Sequence, residues 1–131
     1  IFSVPTAGPA GTWQYVAGGN DCSFAIKSDG TLWGTGWNFA GQIGVGNVTY
    51  QLSWVQVGVD TNWAEVHQTL AFTIARKTNG TLWGWGANAG AQLGQGFIDG
   101  GPFYTPTQIG AATDWLSVRI CSEVGFALKN S

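Results

Sequence analysis

The sequence predicts an all-β chain of tandem units, each roughly fifty residues long and made of about four short antiparallel strands. Three observations carry this expectation: an ungapped internal repeat, a turn-forming dipeptide at the same place in each copy, and the lack of sustained helical periodicity. Laying Trp13 on Trp63 aligns residues 13–46 with 63–96 at a constant shift of 50, and fourteen of the thirty-four pairs are identical. They include Trp13/Trp63, Lys27/Lys77, Gly30/Gly80, Trp33/Trp83, Gly34/Gly84, Asn38/Asn88 and Gln42/Gln92. A third copy begins at Trp115, where a shift of 52 carries Trp63, Val66, Ala75 and Lys77 onto Trp115, Val118, Ala127 and Lys129. The two extra residues fall between Gly96 and Pro106, in a loop, where repeat arrays accept insertions.

Within a unit, residues 22–27 and 72–77 read as strands, with 31–34 and 81–84 as their partners. Between them stand Asp29-Gly30 and Asn79-Gly80, the dipeptides of two-residue hairpin turns, whose two central positions both take positive φ. Two further strands fall around Trp13–Val16 and Trp54–Val57, with equivalents near Trp63 and Thr107. Frequent glycines weaken any helix. Four strands per unit at this period fit a β-propeller blade better than a sandwich. The expected organisation is an outer strand of a preceding blade in 1–12, blades at 13–62 and 63–114, and the first half of a third at 115–131. Recurring Trp13, Trp33, Trp63, Trp83 and Trp115 are expected to fill the blades and the interfaces between them, Trp33 and Trp83 packing between blades. Gly30, Gly34, Gly80 and Gly84 are expected to admit close backbone approach or unusual φ.

The string Gly30-Thr31-Leu32-Trp33-Gly34, followed by Asn38 and Gly41-Gln42-Ile43-Gly44, recurs as Gly80 to Gly84 with Asn88 and Gln92-Leu93-Gly94. It resembles the signature of the regulator-of-chromosome-condensation repeat, in the style of bacterial and phage members, and the resemblance covers almost the whole chain. It implies a seven-bladed ring, which at this unit length needs about 350 residues. Members of that family include a guanine-nucleotide exchange factor and an inhibitor of β-lactamase, so the fold itself fixes no activity. Ala91 stands where the first copy has Gly41, and Gly19, Cys22, Thr69, Phe72, Cys121 and Val124 occupy positions where many members carry small or His residues.

Composition narrows the function classes. The chain is 44% hydrophobic, so it can bury a core, but only 9% charged, against about 25% in ordinary soluble domains. With five basic and seven acidic residues there is no Lys/Arg stripe for phosphates, so nucleic acid is not an expected partner. Apolar runs are broken by Gly or polar residues within a few positions, so no membrane insertion is expected. His67, the one histidine, has Ala17 and Arg119 as its repeat equivalents, and the seven carboxylates are scattered. No triad, glycosidase pair or metal cluster follows from them, and no enzyme activity, cofactor or metal is expected. Ser28-Asp29-Gly30 only faintly resembles the Asp-box of sialidase propellers, because its Ser and Asp are adjacent, and two arginines are too few for an arginine triad. Cys22 and Cys121 fall at non-equivalent repeat positions and read as separate thiols.

What remains is binding. Trp37, Tyr50, Trp54, Phe97 and Tyr104 lie in or beside loops and are the candidate contact residues. The expected role is a non-catalytic protein-interaction or structural module, within a larger assembly such as a surface, virion or filament structure. The alternative is a carbohydrate-binding, adhesive module that stacks loop aromatics on sugars. Strand 125–129 lacks the partner that follows Lys27 and Lys77, and Phe2–Pro5 resembles Phe103–Pro106 without a blade of its own. Both edges are expected to pair with other polypeptide, either a second copy or the remainder of a longer chain.

Overall fold

A computed structural model describes residues 11–94, 96, 102–121 and 124–130. The expected Phe2–Pro5 strand lies outside the described residues. Ten strands follow in order: β1 (Trp13–Gly18), β2 (Cys22–Lys27), β3 (Leu32–Gly36), β4 (Gln51–Gln56), β5 (Trp63–Gln68), β6 (Phe72–Lys77), β7 (Leu82–Gly86), β8 (Phe103–Gln108), β9 (Trp115–Cys121) and β10 (Val124–Lys129). They form two four-stranded antiparallel meanders, β1-β2-β3-β4 and β5-β6-β7-β8, and a β9-β10 hairpin. No helix occurs among the described residues. The registers repeat with the sequence: Phe24 faces Gly34 and Ala25 faces Trp33, as Ile74 faces Gly84 and Ala75 faces Trp83. The fourth strand starts three residues before the expected Trp54, and Pro106 sits in β8, an outer strand whose far side needs no N–H donor.

The hairpin turns differ from the expected two-residue form. Lys27 N–H donates to the Thr31 carbonyl and Gly30 N–H to the Lys27 carbonyl, enclosing residues 28–30, and the second copy repeats both bonds around 78–80. Of those loop residues only Gly30 (φ 82°) and Gly80 (φ 79°) are left-handed. This is the three-residue loop that ends in a glycine bulge. Asp29 and Asn79 stay right-handed because their side chains have another task. Asp29 Oδ1 accepts from Thr31 N (3.0 Å) and Thr31 Oγ1 (2.6 Å), and Thr31 Oγ1 accepts from Trp33 Nε1 at 2.9 Å. Asn79, Thr81 and Trp83 repeat the relay. A Cβ on Gly30 would lie 1.9 Å from the Thr61 carbonyl oxygen, and the Gly30 carbonyl accepts from Trp63 N–H at 3.1 Å. Each turn thus holds the start of the next sheet.

Two apolar clusters join the sheets. Phe24, Ile26, Leu32, Ile43 and Val57 of the first meet Trp63, Val66, Ala75 and Trp85 of the second, and Ile74, Leu82 and Leu93 of the second meet Val118 of the hairpin. Trp83 packs against the core shared by the first two blades, whereas Trp33 is not part of that core. Each is half-buried beside a lysine of its own blade: Lys27 Nζ lies 4.7 Å from the Trp33 ring centre and Lys77 Nζ 3.7 Å from that of Trp83. Trp13 and Trp63 flank the same ammonium groups, and Trp115 takes the corresponding place beside Lys129. The aromatic that fills the interface is Trp85, which has no aromatic equivalent in the first copy, where Thr35 stands. Fully buried, it lies 6.2 Å from Phe24 and 5.9 Å from Trp63, and its Nε1 donates to the Gln42 carbonyl at 2.8 Å.

Candidate functional site

The repeat signature builds a rigid loop between β3 and β4. Asn38 is fully buried; its Nδ2 donates to the Asn47 carbonyl (2.8 Å) and the Thr49 carbonyl (3.2 Å), while its Oδ1 accepts from Ile43 N–H at 2.8 Å. Gln42, also fully buried, accepts from Ala40 N–H through Oε1 (2.9 Å) and donates through Nε2 to the Leu70 carbonyl of the second blade (3.2 Å). Its own carbonyl accepts from Thr73 Oγ1 and Trp85 Nε1. Every polar group of these two amides is therefore spent on holding the loop, as buried amides must be. Asn88 and Gln92 repeat the Leu93 and Gly90 contacts in the second copy.

On this frame stand Trp37, Phe39 and Tyr50, all exposed. Trp37 lies 5.5 Å from Phe39 (interplanar 56°, tilted) and 5.7 Å from Tyr50 (71°, edge to face), so the three rings form a ridge. Exposed Val48 lies in the same loop, and Leu52, 97% exposed, follows on β4. Of the five expected contact residues the structure brings together Trp37 and Tyr50. Trp54 belongs elsewhere: half-buried, it packs 5.4 Å from Trp13 in the tryptophan–lysine stack. Exposed Tyr104 lies on β8, its carbonyl accepting from Gly46 N–H at 2.8 Å. Phe97 lies outside the described residues. Phe39 went unnoticed in the sequence, although a signal existed. The residues flanking the buried Asn are Trp37 and Phe39 in one copy but Ala87 and Ala89 in the other, so the frame does not need the aromatics.

The other chemistry is structural. Glu65 sits between Arg76 (3.5 Å) and Arg119 (3.6 Å) and accepts from Val118 N–H, which ties β5 to β9. His67 Nε2 lies 3.4 Å from Arg119; burial, opposed by Glu65 and aided by Arg119, holds its pKa below the ordinary value. Burial, with the Asp21 charge and against a Gln68 hydrogen bond, pushes the Cys22 thiol up to about 12, so it is no nucleophile near neutrality. Among the described residues no group of three His, Cys, Asp or Glu side chains could hold a metal.

Solved structures share this arrangement of sheets. Human WBSCR16 superposes with a TM-score of 0.80 at 22% identity, over 93% of this chain and 32% of that one. The fold is that of RCC1-type propeller blades. Yeast RCC1 (Prp20), solved in complex with Kap60, matches with a TM-score of 0.71 at 20% identity over 95% of this chain. Prp20p of Saccharomyces cerevisiae, described with its binding to Gsp1p and histones, matches at 0.69 and 18% over 98%. The chain spans about a third of the length of these RCC1-type proteins. No protein-family model and no curated protein matches the sequence.

Proposed function

We propose that the chain is a non-catalytic protein-interaction module whose contact surface is the Trp37–Phe39–Tyr50 ridge, continued by Val48 and Leu52. The observation that carries this reading is the contrast between a fixed frame and variable display. Asn38 and Gln42 make the same loop contacts as Asn88 and Gln92, yet Asn38 is flanked by the exposed aromatics Trp37 and Phe39 where Asn88 is flanked by Ala87 and Ala89. A clustered, exposed aromatic patch on a preorganised loop is the composition of interface hot spots, because little side-chain or loop entropy remains to be lost on binding. That yeast RCC1 is seen bound to Kap60, and Prp20p is described as binding Gsp1p and histones, supports a protein partner over a small molecule. The rings are inclined to one another by 56° and 71°, giving a ridge that suits side-chain packing better than the flat platform a sugar ring needs.

The test compares the 131-residue chain with its Trp37→Ala/Phe39→Ala/Tyr50→Ala variant, in protein capture and on a glycan array. The reading expects proteins captured by the parent and lost by the variant, with no array signal that depends on the ridge. Glycan binding abolished by the same substitutions would replace it with the lectin alternative.

A further inference from the structure

We propose that the junction between the second blade and the β9-β10 hairpin is an acid-sensitive clasp: neutral His67 and ionised Glu65 together hold Arg119, and a proton taken up by His67 loosens β9 from β5. The geometry around Arg119 points to this. Its Nη1 lies 2.6 Å from the Val118 carbonyl, 3.4 Å from His67 Nε2 and 3.6 Å from Glu65 Oε1. A guanidinium only donates, so the imidazole joins this set only as an acceptor, with the Nε2 lone pair toward Arg119 and the ring proton on Nδ1. A proton taken from solvent onto Nε2 sets an N–H against an N–H and places a second cation beside the first. Glu65 cannot absorb the change. Its side chain is 13% exposed, already faces Arg76 at 3.5 Å, and accepts from Val118 N–H across the junction. One carboxylate would then serve three cations.

The junction between the first two blades is built differently at the same positions. Tyr15 stands where the second has Glu65, and its hydroxyl donates to the Val66 carbonyl at 3.1 Å; buried Ile26 replaces Arg76, and Ala17 replaces His67. Each junction is thus tied to the next inner strand from one repeat position, but only the second tie is ionic. On the elements packed around β5 the charged and titratable groups at this level are Arg119 of β9, Arg76 of β6, Tyr15 of β1 and Cys22 of β2, besides Glu65 on β5 itself. Burial raises both the Tyr15 hydroxyl and the Cys22 thiol, so neither ionises in acid. His67 is the one histidine of the chain, and between about pH 7 and pH 5.5 no other side chain of ordinary pKa titrates. Burial, opposed by Glu65 and aided by Arg119, holds His67 below its ordinary value, so the closed junction takes the proton less readily than the open one. Closure is therefore complete above the ordinary histidine pKa and declines as pH falls below it. Arg119 is 67% exposed, and solvent screening keeps the effect modest.

Hydrogen exchange of the full chain at both ends of that pH range, corrected for the intrinsic pH dependence of amide exchange, is the test. Protection along β9 should fall several-fold on acidification. The ceiling is about ten-fold, the most that one proton can cost one unit below the ordinary histidine pKa of ~6.5. Protection along β2, in the first blade, should stay constant. His67→Gln keeps an acceptor for Arg119 but has no titrating proton, so it should retain the neutral-pH protection of β9 and lose the pH response. His67→Ala, which copies Ala17, should also lose the response and serves if the Gln variant fails to fold. Constant protection of β9 in the parent, an equal fall along β2, or a pH response that persists without His67 overturns the proposal.

Discussion

Replacing Trp85 by Ala tests whether one side chain joins the first two blades. The indole is fully buried, touches Phe24 and Trp63, and donates to the Gln42 carbonyl. A tryptophan buries about 150–250 Å², which at ~25 cal/mol per Å² is about 4–6 kcal/mol before any relaxation. Measured truncations of large core aromatics centre on about 3–5 kcal/mol. The Gln42 carbonyl keeps the Thr73 hydroxyl as a donor at 2.7 Å, so the lost N–H bond adds no orphaned acceptor. The expected cost is therefore about 4 kcal/mol, a large part of an ordinary domain's ~5–15 kcal/mol. Trp85→Phe, which keeps most of the ring, should cost about 1–2 kcal/mol. Urea unfolding followed by far-ultraviolet circular dichroism measures both, and with a slope of ~1–3 kcal/mol per molar the Ala variant should unfold more than about 1 M earlier. A cost below about 1 kcal/mol for Trp85→Ala would refute a shared core between the blades.

Three further outcomes follow from local geometry. Thr31's hydroxyl and then its backbone N–H hold the Asp29 carboxyl below its usual range, so this contribution to stability is present above the ordinary carboxylate pKa and lost as pH falls through the depressed one. Asp29→Asn, which copies Asn79, should keep the turn and remove that acid-side slope from the urea midpoint; an unchanged slope would contradict the assignment. Ala91 is left-handed (φ 56°) where the first blade has Gly41, so Ala91→Gly should stabilise by about 0.5–1 kcal/mol in the same assay, whereas destabilisation would show the angle carries no strain. A thiol reagent at pH 8 should label exposed Cys121 and spare buried Cys22 until denaturant is added; two thiols labelled at once in the native chain would contradict the burial.

The fold was legible because its determinants are local and repeated. The fifty-residue period and the Gly at each turn are backbone requirements, and two copies in one chain show which residues the backbone needs. Turn length was misread because Asp-Gly and Asn-Gly serve both two- and three-residue hairpins. The choice rests on the carboxyl or amide bonding two residues ahead to Thr31 or Thr81, which composition does not display. Recurrence marks what a blade needs internally, and Trp33 and Trp83 recur beside the lysines of their own blades. The interface between blades is filled by Trp85, opposite Thr35 in the alignment and so invisible to a search for identities. The candidate site was half legible for the same reason. Trp37 and Tyr50 stand out as loop aromatics, but joining them with Phe39, and moving Trp54 into the lysine stack, required the fold of the loop around Asn38.

In the proposed function the repeat signature is frame and the residues around Asn38 make the partner contact. Its most direct test is the affinity of the Trp37→Ala/Phe39→Ala/Tyr50→Ala variant for a protein partner captured by the parent chain. Truncating an exposed hot-spot cluster should weaken binding at least about 30-fold, with the urea midpoint of the free chain almost unmoved. Undiminished affinity would contradict the account.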